Sequence, residues 1–236
     1  PRTEMRDGKN SMTAHRSPSE ITTICEELLS FGSSAIVEAD SRAGALPSRI
    51  LPLDPGMRMA GVAFTCICEP GDNLTLHAAL KMAKPGDILV CDAMNATEQG
   101  MFGDVMASCA LGKNIAGLVT NGGVRDRLTI IDVGFPVFAA NVCMKGTVKE
   151  VLGPINRPVT FGHVLIEPGD LVIGDADGVA VVAASIAEEV LEACRRASQR
   201  KAEVSTAVAS GRTPWDHDDL GGFLIADLAD QHDVRV

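Results

Sequence analysis

Residues 61–91 read GVAFTCICEPGDNLTLHAALKMAKPGDILVC, and this stretch decides the fold class. Val62, Phe64, Cys66 and Cys68 alternate with Ala63, Thr65 and Ile67, the period of two expected of a strand. Pro70-Gly71-Asp72-Asn73 is turn chemistry. From Leu74 to Ala83 the spacing becomes helical, with Leu76, Ala79, Leu80 and Ala83 on one side. Pro85-Gly86-Asp87 closes that helix, and Ile88-Leu89-Val90-Cys91 is a short, wholly apolar run that predicts a buried strand. Strand, helix and strand in such quick succession point to an α/β chain.

The pattern continues on both sides. Phe102-Gly103-Asp104 opens a helix over Val105 to Leu111, which stops at Gly112, and Ile115 to Thr120 is a strand again. Val137 to Ala140 is a further short strand. Upstream, Ser17-Pro18-Ser19-Glu20 offers a helix start, with a capping residue, proline in the first turn and an early acid. Ile21, Ile24, Cys25, Leu28 and Leu29 follow at helical spacing up to Gly32. Downstream, Val159 and Val164-Leu165-Ile166 are extended, and Pro168-Gly169-Asp170 turns the chain. Leu171-Val172-Ile173 and Val179 to Val182 flank Gly174-Asp175-Ala176-Asp177-Gly178, which predicts a hairpin. Ser185 then caps a long helix with one apolar stripe, Ile186, Val190, Cys194, Ala197, Val204 and Val208, ending at Gly211. The expected organisation is a polar arm over residues 1–17, one domain over 18–211, and a C-terminal extension over 212–236.

Composition narrows the function. Of 236 residues 46% are hydrophobic and 22% charged, which describes a globular chain. The formal charge of −10 and the scarcity of aromatic residues argue against nucleic acid as a partner. An anionic small substrate stays open, because one local arginine outweighs a distant field. The sequence has no apolar run of about 18 residues, so no membrane span is expected. The polar start lacks the apolar core of a secretory signal, and the seven cysteines are scattered without a C-x-x-C pair. They read as reduced, buried small hydrophobes of a cytoplasmic protein.

The chemistry concentrates between Gly103 and Asp126. A helix beginning at Asp104 rises away by roughly 12 Å, at about 1.5 Å per residue. The strand after it covers roughly 17–20 Å at about 3.3 Å per residue. If that strand runs back, Asn121-Gly122-Gly123-Val124 returns to the helix start, and Asp104, Arg125 and Asp126 meet at one end of the unit. The N–H groups of Val105 and Met106 and the Arg125 guanidinium would hold a carboxylate there. Asp104 and Asp126 offer hard oxygen ligands for Mg²⁺ or Mn²⁺. Gly122 and Gly123 would let backbone approach the ligand closely. The plainer reading is an acid at a helix N-terminus beside a solvated loop pair.

Gly103-Asp104-Val105-Met106 followed after 20 intervening residues by Arg125-Asp126 resembles the D-x20-R-D signature of the class II pyruvate aldolases. These act on 4-hydroxy-4-methyl-2-oxoglutarate and 4-carboxy-4-hydroxy-2-oxoadipate, and their wider family includes bacterial inhibitors of ribonuclease E. Pro70 to Leu74, Lys84 to Val90, Gly122 to Asp126 and Pro168 to Gly178 carry the same resemblance, which runs from about Ile21 to Gly211. It implies an α-β-β-α sandwich like a swivelling phosphohistidine domain, assembled as a trimer or hexamer. It implies a small 2-oxo acid substrate, retro-aldol cleavage to pyruvate with oxaloacetate decarboxylation as a side activity, and a place in aromatic catabolism. In this resemblance Gly103 to Met106 bind the pyruvate carboxylate, and Arg125 binds the carboxylate and keto oxygen. Asp126 ligates Mg²⁺ or Mn²⁺, Asp104 reaches the ion through water, and Asn73 is a further contact from its turn. An acid on the C-terminal helix of a neighbouring subunit, matched here to Glu203, stands behind the ion. The inhibitor branch carries glycine where this chain has Asp104, which favours the enzyme. Val37-Glu38-Ala39-Asp40 departs from the Asp-Ala-Leu string usual near the N-terminus. The alternatives are a non-catalytic binding protein of the ribonuclease-inhibitor type and a related decarboxylase or hydrolase acting on another 2-oxo acid.

Other candidates read as structural. His77 lies on the helix after Asn73, His163 at a strand start, and His217-Asp218-Asp219 in the polar tail. Lysine in an apolar, Schiff-base setting is not apparent, and the glycine-rich stretches match neither a dinucleotide fingerprint nor a P-loop.

Overall fold

The computed structural model describes residues 17–211 and Thr213; the proposed arm and the C-terminal extension lie outside the described residues, apart from Ser17 and Thr213. The elements in order are α1 (Pro18–Phe31), α2 (Ser33–Ala39), β1 (Gly44–Ala45), β2 (Leu51–Pro52), β3 (Met59–Ile67), α3 (Leu74–Met82), β4 (Asp87–Asp92), α4 (Asp104–Gly112), β5 (Gly117–Val124), α5 (Arg127–Val133), β6 (Val137–Val142), β7 (Val159–Phe161), β8 (Val164–Ile166), β9 (Leu171–Asp175), β10 (Gly178–Val182) and α6 (Ala187–Ala209). A short 3-10 turn, Ala184–Ile186, stands where Ser185 was expected to cap the long helix.

The main sheet has eight strands in the order β1-β10-β9-β3-β4-β5-β6-β2, and β7 and β8 form a separate two-stranded sheet. Strands β3, β4, β5 and β6 are mutually parallel, and the others join antiparallel. Helices α3, α4 and α5 are therefore the three crossovers of a parallel core. The α/β class expected from the sequence holds, with helices packed on the eight-stranded sheet and the small β7–β8 sheet set against β3, β4 and β1.

Side-chain alternation explains the layering. On β9 and β10, Leu171, Ile173, Ala180 and Val182 face a cluster with Ile24, Leu28, Ile36, Val190 and Leu191 from α1, α2 and α6. Val172, Val179 and Val181, one residue out of phase, point into the other core with Ile88, Leu118 and Phe138. Strand β5 is buried along all eight residues, as a central parallel strand covered on both faces must be.

Local chemistry sets the ends. Ser17 and Glu20 form a reciprocal capping box at α1. Asp175, read from sequence only as part of a hairpin turn, also accepts from the Ser33 N–H at 2.7 Å and the Ser33 hydroxyl at 2.6 Å, tying the start of α2 to β9. Arg195 on α6 makes a two-pronged contact with Glu27 on α1, both at 2.7 Å. Asn121 to Val124, placed by the sequence beyond a strand ending at Thr120, belong to β5, with a register irregularity between Thr120 and Gly123.

Candidate active site

The carboxyl ends of the four parallel strands open onto one cleft. Asn73 and His77 follow β3, Gly100 and Gly103 to Met106 follow β4, Arg125 follows β5, and Gly146, Thr147 and Lys149 follow β6. Together they line a concavity of about 190 Å³. Crevices beyond the carboxyl ends of parallel strands are where α/β sheets hold ligands, because the crossover loops converge there.

Glycines allow the convergence. A Cβ on Gly123 would lie 2.6 Å from the Thr97 carbonyl oxygen and 2.7 Å from that of Gln99. A Cβ on Gly122 would meet the Ala93 side chain at 2.6 Å. The paired glycines therefore admit the β4–α4 loop against β5, and the ligand approach expected of them is corrected to an approach of protein backbone. Met101 N–H donates to Gly123 O at 2.8 Å and Arg125 N–H to Phe102 O at 2.9 Å, which fixes the loop's register. The Phe102 and Phe135 rings stack behind it, with centroids 5.8 Å apart.

Asp104, Arg125 and Asp126 meet as expected. Arg125 Nε lies 3.3 Å from Asp126 Oδ2, and the Asp104 N–H points at the same oxygen from 3.4 Å. A Cβ on Gly103 would reach Asp126 Oδ2 at 2.6 Å, so a side chain there would push that carboxylate from its place. Asp126 holds a left-handed backbone, φ 60° and ψ 37°, tolerable for an aspartate, which turns the chain sharply after Arg125. Arg125 and Asp104 line the cleft, while Asp126 stands behind Gly103 and outside the lining. The Val105 N–H donates to Asp104 Oδ1 at 2.8 Å. Of the helix-start donors expected for a substrate carboxylate, that one is taken by the protein's own acid.

Asn73 is 5% exposed. Its Nδ2 donates to Met101 O at 2.9 Å, which fixes the amide's orientation. Its Oδ1 is the buried side-chain polar atom without a hydrogen-bond partner among the described residues. A buried acceptor left unpaired costs about 1–3 kcal/mol, so such an atom beside a cleft marks a place for a donor or a cation. Two carboxylates and an amide oxygen are the donor types a hard divalent ion takes. Asp104 and Asp126 with Asn73 do not amount to a protein cage, so water would fill most of such an ion's positions. Glu203 lies on the exposed part of α6 and does not line this chain's cleft.

Three cleft residues escaped sequence reasoning as functional. His77, assigned a structural role, lines the cleft; burial, followed by the Lys149 charge, holds its imidazole below the usual range, against an opposing effect of Cys68. Thr147 and Lys149 come from an irregular loop that offered no periodic signal. Asp72, next to Asn73, accepts from the N–H groups of Leu74, Glu150 and Val151 at 2.9, 2.7 and 2.8 Å, and so holds that loop beside the cleft.

A family model described as RraA-like, Aldolase/RraA, matches residues 21–181. The chain belongs to the RraA-like family. Among relatives of this RraA-like chain is a Halalkalibacterium halodurans protein named "Putative 4-hydroxy-4-methyl-2-oxoglutarate aldolase", 36% identical over 64% of this chain and 72% of its own length. Two solved RraA structures share the fold. Streptomyces coelicolor RraAS2, described as an unusual member of the RNase ES inhibitor RraA family, is 27% identical with a TM-score of 0.70 over 78% of this chain and 96% of its own. The RNA-processing inhibitor RraA from Thermus thermophilis is 25% identical with a TM-score of 0.59 over 64% of this chain and 91% of its own. Among the described residues no helix is long and apolar enough to cross a membrane.

Proposed function

We propose that this chain is a divalent-metal-dependent pyruvate aldolase that cleaves 4-hydroxy-2-oxo di- or tricarboxylic acids to pyruvate and a second 2-oxo acid. The observation that carries the reading is the union of Arg125 and Asp104 in one cleft, with the Asp126 carboxylate 3.3 Å from Arg125 Nε. Asp126 and Asp104 would hold Mg²⁺ or Mn²⁺, and Asn73, which lines the same cleft as Asp104, would be a further contact. Such an ion, when bound, supplies Lewis-acid stabilisation of an enolate.

The chain's own groups do the rest. Arg125 binds the substrate carboxylate and keto oxygen through two parallel N–H contacts, which orients the bond between C3 and C4. A substrate carboxylate at the Val105 N–H displaces the Asp104 side chain, whose freed carboxylate accepts the C4 hydroxyl proton through a water molecule. The electron pair of the C3–C4 bond moves toward C2, and the Arg125 charge stabilises the resulting enolate more strongly than the ground-state ketone. Thr147 and Lys149 line the same cleft and suit a carboxylate on the departing half. Oxaloacetate that loses CO₂ gives the same enolate, so decarboxylation follows from the same contacts. Glu203 of a neighbouring subunit would stand behind the ion. Exposed apolar residues along the loop after β6, Met144, Val148, Val151 and Leu152, provide a contact surface for a trimer or hexamer.

The test is pyruvate release from 4-hydroxy-4-methyl-2-oxoglutarate, 4-carboxy-4-hydroxy-2-oxoadipate and oxaloacetate, each with Mg²⁺ and with EDTA. Metal-dependent pyruvate formation from at least one of them is expected. Absence of turnover on all three, with tight binding to ribonuclease E instead, would favour the inhibitor reading shared by the RraA structures.

A further inference from the structure

Cys66 and Cys91 are register partners across the parallel β3–β4 pair. Cys68, one residue beyond β3, returns to the same side. All three are fully buried, and their Sγ atoms lie within 4.8 Å of one another, with Cys68 and Cys91 3.7 Å apart. Among the described residues they are the group of three ligand-type side chains close enough to share one ion. They are distinct from the cleft lining.

We propose that Cys66, Cys68 and Cys91 form a three-sulfur site for Cu⁺. Three sulfurs about 2.3 Å from one ion stand about 3.8–4.0 Å apart. The pairs here reach that spacing through side-chain adjustments of under an ångström. Thiolate ligands select soft cations, which excludes Mg²⁺ and Mn²⁺ from this site. No histidine or carboxylate joins the group, so it offers three ligands where Zn²⁺ almost always takes four. Three-coordination by sulfur suits Cu⁺. Hydrogen bonding from the Cys66 and Cys91 thiols, opposed by burial and reinforced by the Leu76 N–H and the Thr75 hydroxyl, holds the Cys68 thiol well below its ordinary range.

Binding exchanges protons for metal. Cu⁺ leaves the thiolate of a small thiol carrier as bonds form to the three sulfurs; the thiol protons these displace pass to the released carrier thiolate and to solvent. Copper stays in the +1 state, so no electron moves. Because the sulfurs are covered, loading occurs during folding or through local opening. An occupied site would clamp the end of β3 to β4, immediately before the turn that carries Asn73. The inference is independent of the aldolase reading.

The experiment uses the full chain, reduced and anaerobic, given Cu⁺ both folded and during refolding, then challenged with a coloured Cu⁺ chelator. One copper per chain is expected to survive the challenge, with three sulfur neighbours in the X-ray absorption spectrum. Cys68→Ser and Cys91→Ser each lose the retained copper, whereas the Cys109→Ser/Cys143→Ser double variant keeps it. No copper retained under either loading condition, retention abolished by the Cys109/Cys143 change, or a spectrum with fewer than three sulfurs would overturn the proposal. Should the buried variants fail to fold, the wild-type stoichiometry and spectrum decide it alone.

Discussion

Arg125 meets the Asp126 carboxylate on one side and the cleft on the other, so it is the group through which substrate charge is felt. Arg125→Ala is expected to lower kcat/KM for pyruvate release by about 10²–10³-fold, the loss typical of one donor aimed at developing negative charge. Lysine there should recover little, because it supplies a point charge without the paired geometry. Asp104→Asn keeps the shape and removes the proton acceptor, so kcat should fall with KM less affected; steady-state kinetics on both variants separates these roles. Gly123→Ala tests the scaffold. Its new methyl would stand 2.6 Å from a carbonyl oxygen of the β4–α4 loop. A loss of about 1–3 kcal/mol in urea unfolding is expected, with activity falling as the Gly103–Asp104 segment shifts.

At the scale of elements, the cleft depends on how loops are pinned. The Asp72 carboxylate lies below the usual carboxylate range, through the Leu74 N–H first, against burial, with Glu150 and Val151 adding to it. A depressed folded-state pKa contributes stability that is present above the unfolded value of about 3.9 and is lost as pH falls through the folded value. Asp72→Ala should therefore loosen residues 148–151 at neutral pH, seen as faster amide exchange. The stability gap to wild type should narrow on acidification below about pH 4. Much of this level was legible in the sequence. The alternation along β3, the helical spacing of α3 and the hairpin of β9 and β10 follow from periodicity, because one face of each is buried. Helices α2 and α5 were not legible: each has seven residues, too few to show a period, and each begins without a side-chain cap hydrogen bond. Strands β1 and β2 have two residues each and exist only through their partners. Asn121-Gly122-Gly123 carried loop chemistry and became strand, because burial against the β4–α4 loop outweighed local propensity.

Across the whole molecule, the parallel order of β3 to β6 sends four loops to one end, and that topology assembles the cleft. Asp104, Arg125 and Asp126 could be brought together from sequence because a helix and a returning strand have fixed lengths. His77, Thr147 and Lys149 could not, since their position depends on the order of strands and on Asp72 holding a distant loop. Sedimentation should return a trimer or hexamer, and Met144→Glu, a charge placed on the most exposed of the large apolar side chains among the described residues, should shift it toward the single chain. The central claim is that the cleft of Arg125 and Asp104, with Asp126 beside Arg125, makes an enolate with the help of a divalent ion. Its most direct measurement is the rate of pyruvate release from 4-carboxy-4-hydroxy-2-oxoadipate and 4-hydroxy-4-methyl-2-oxoglutarate by metal-stripped protein before and after addition of Mg²⁺ or Mn²⁺. The account predicts turnover of at least one acid only with metal and lost in Arg125→Ala; a rate indifferent to EDTA, or unchanged in that variant, would contradict it.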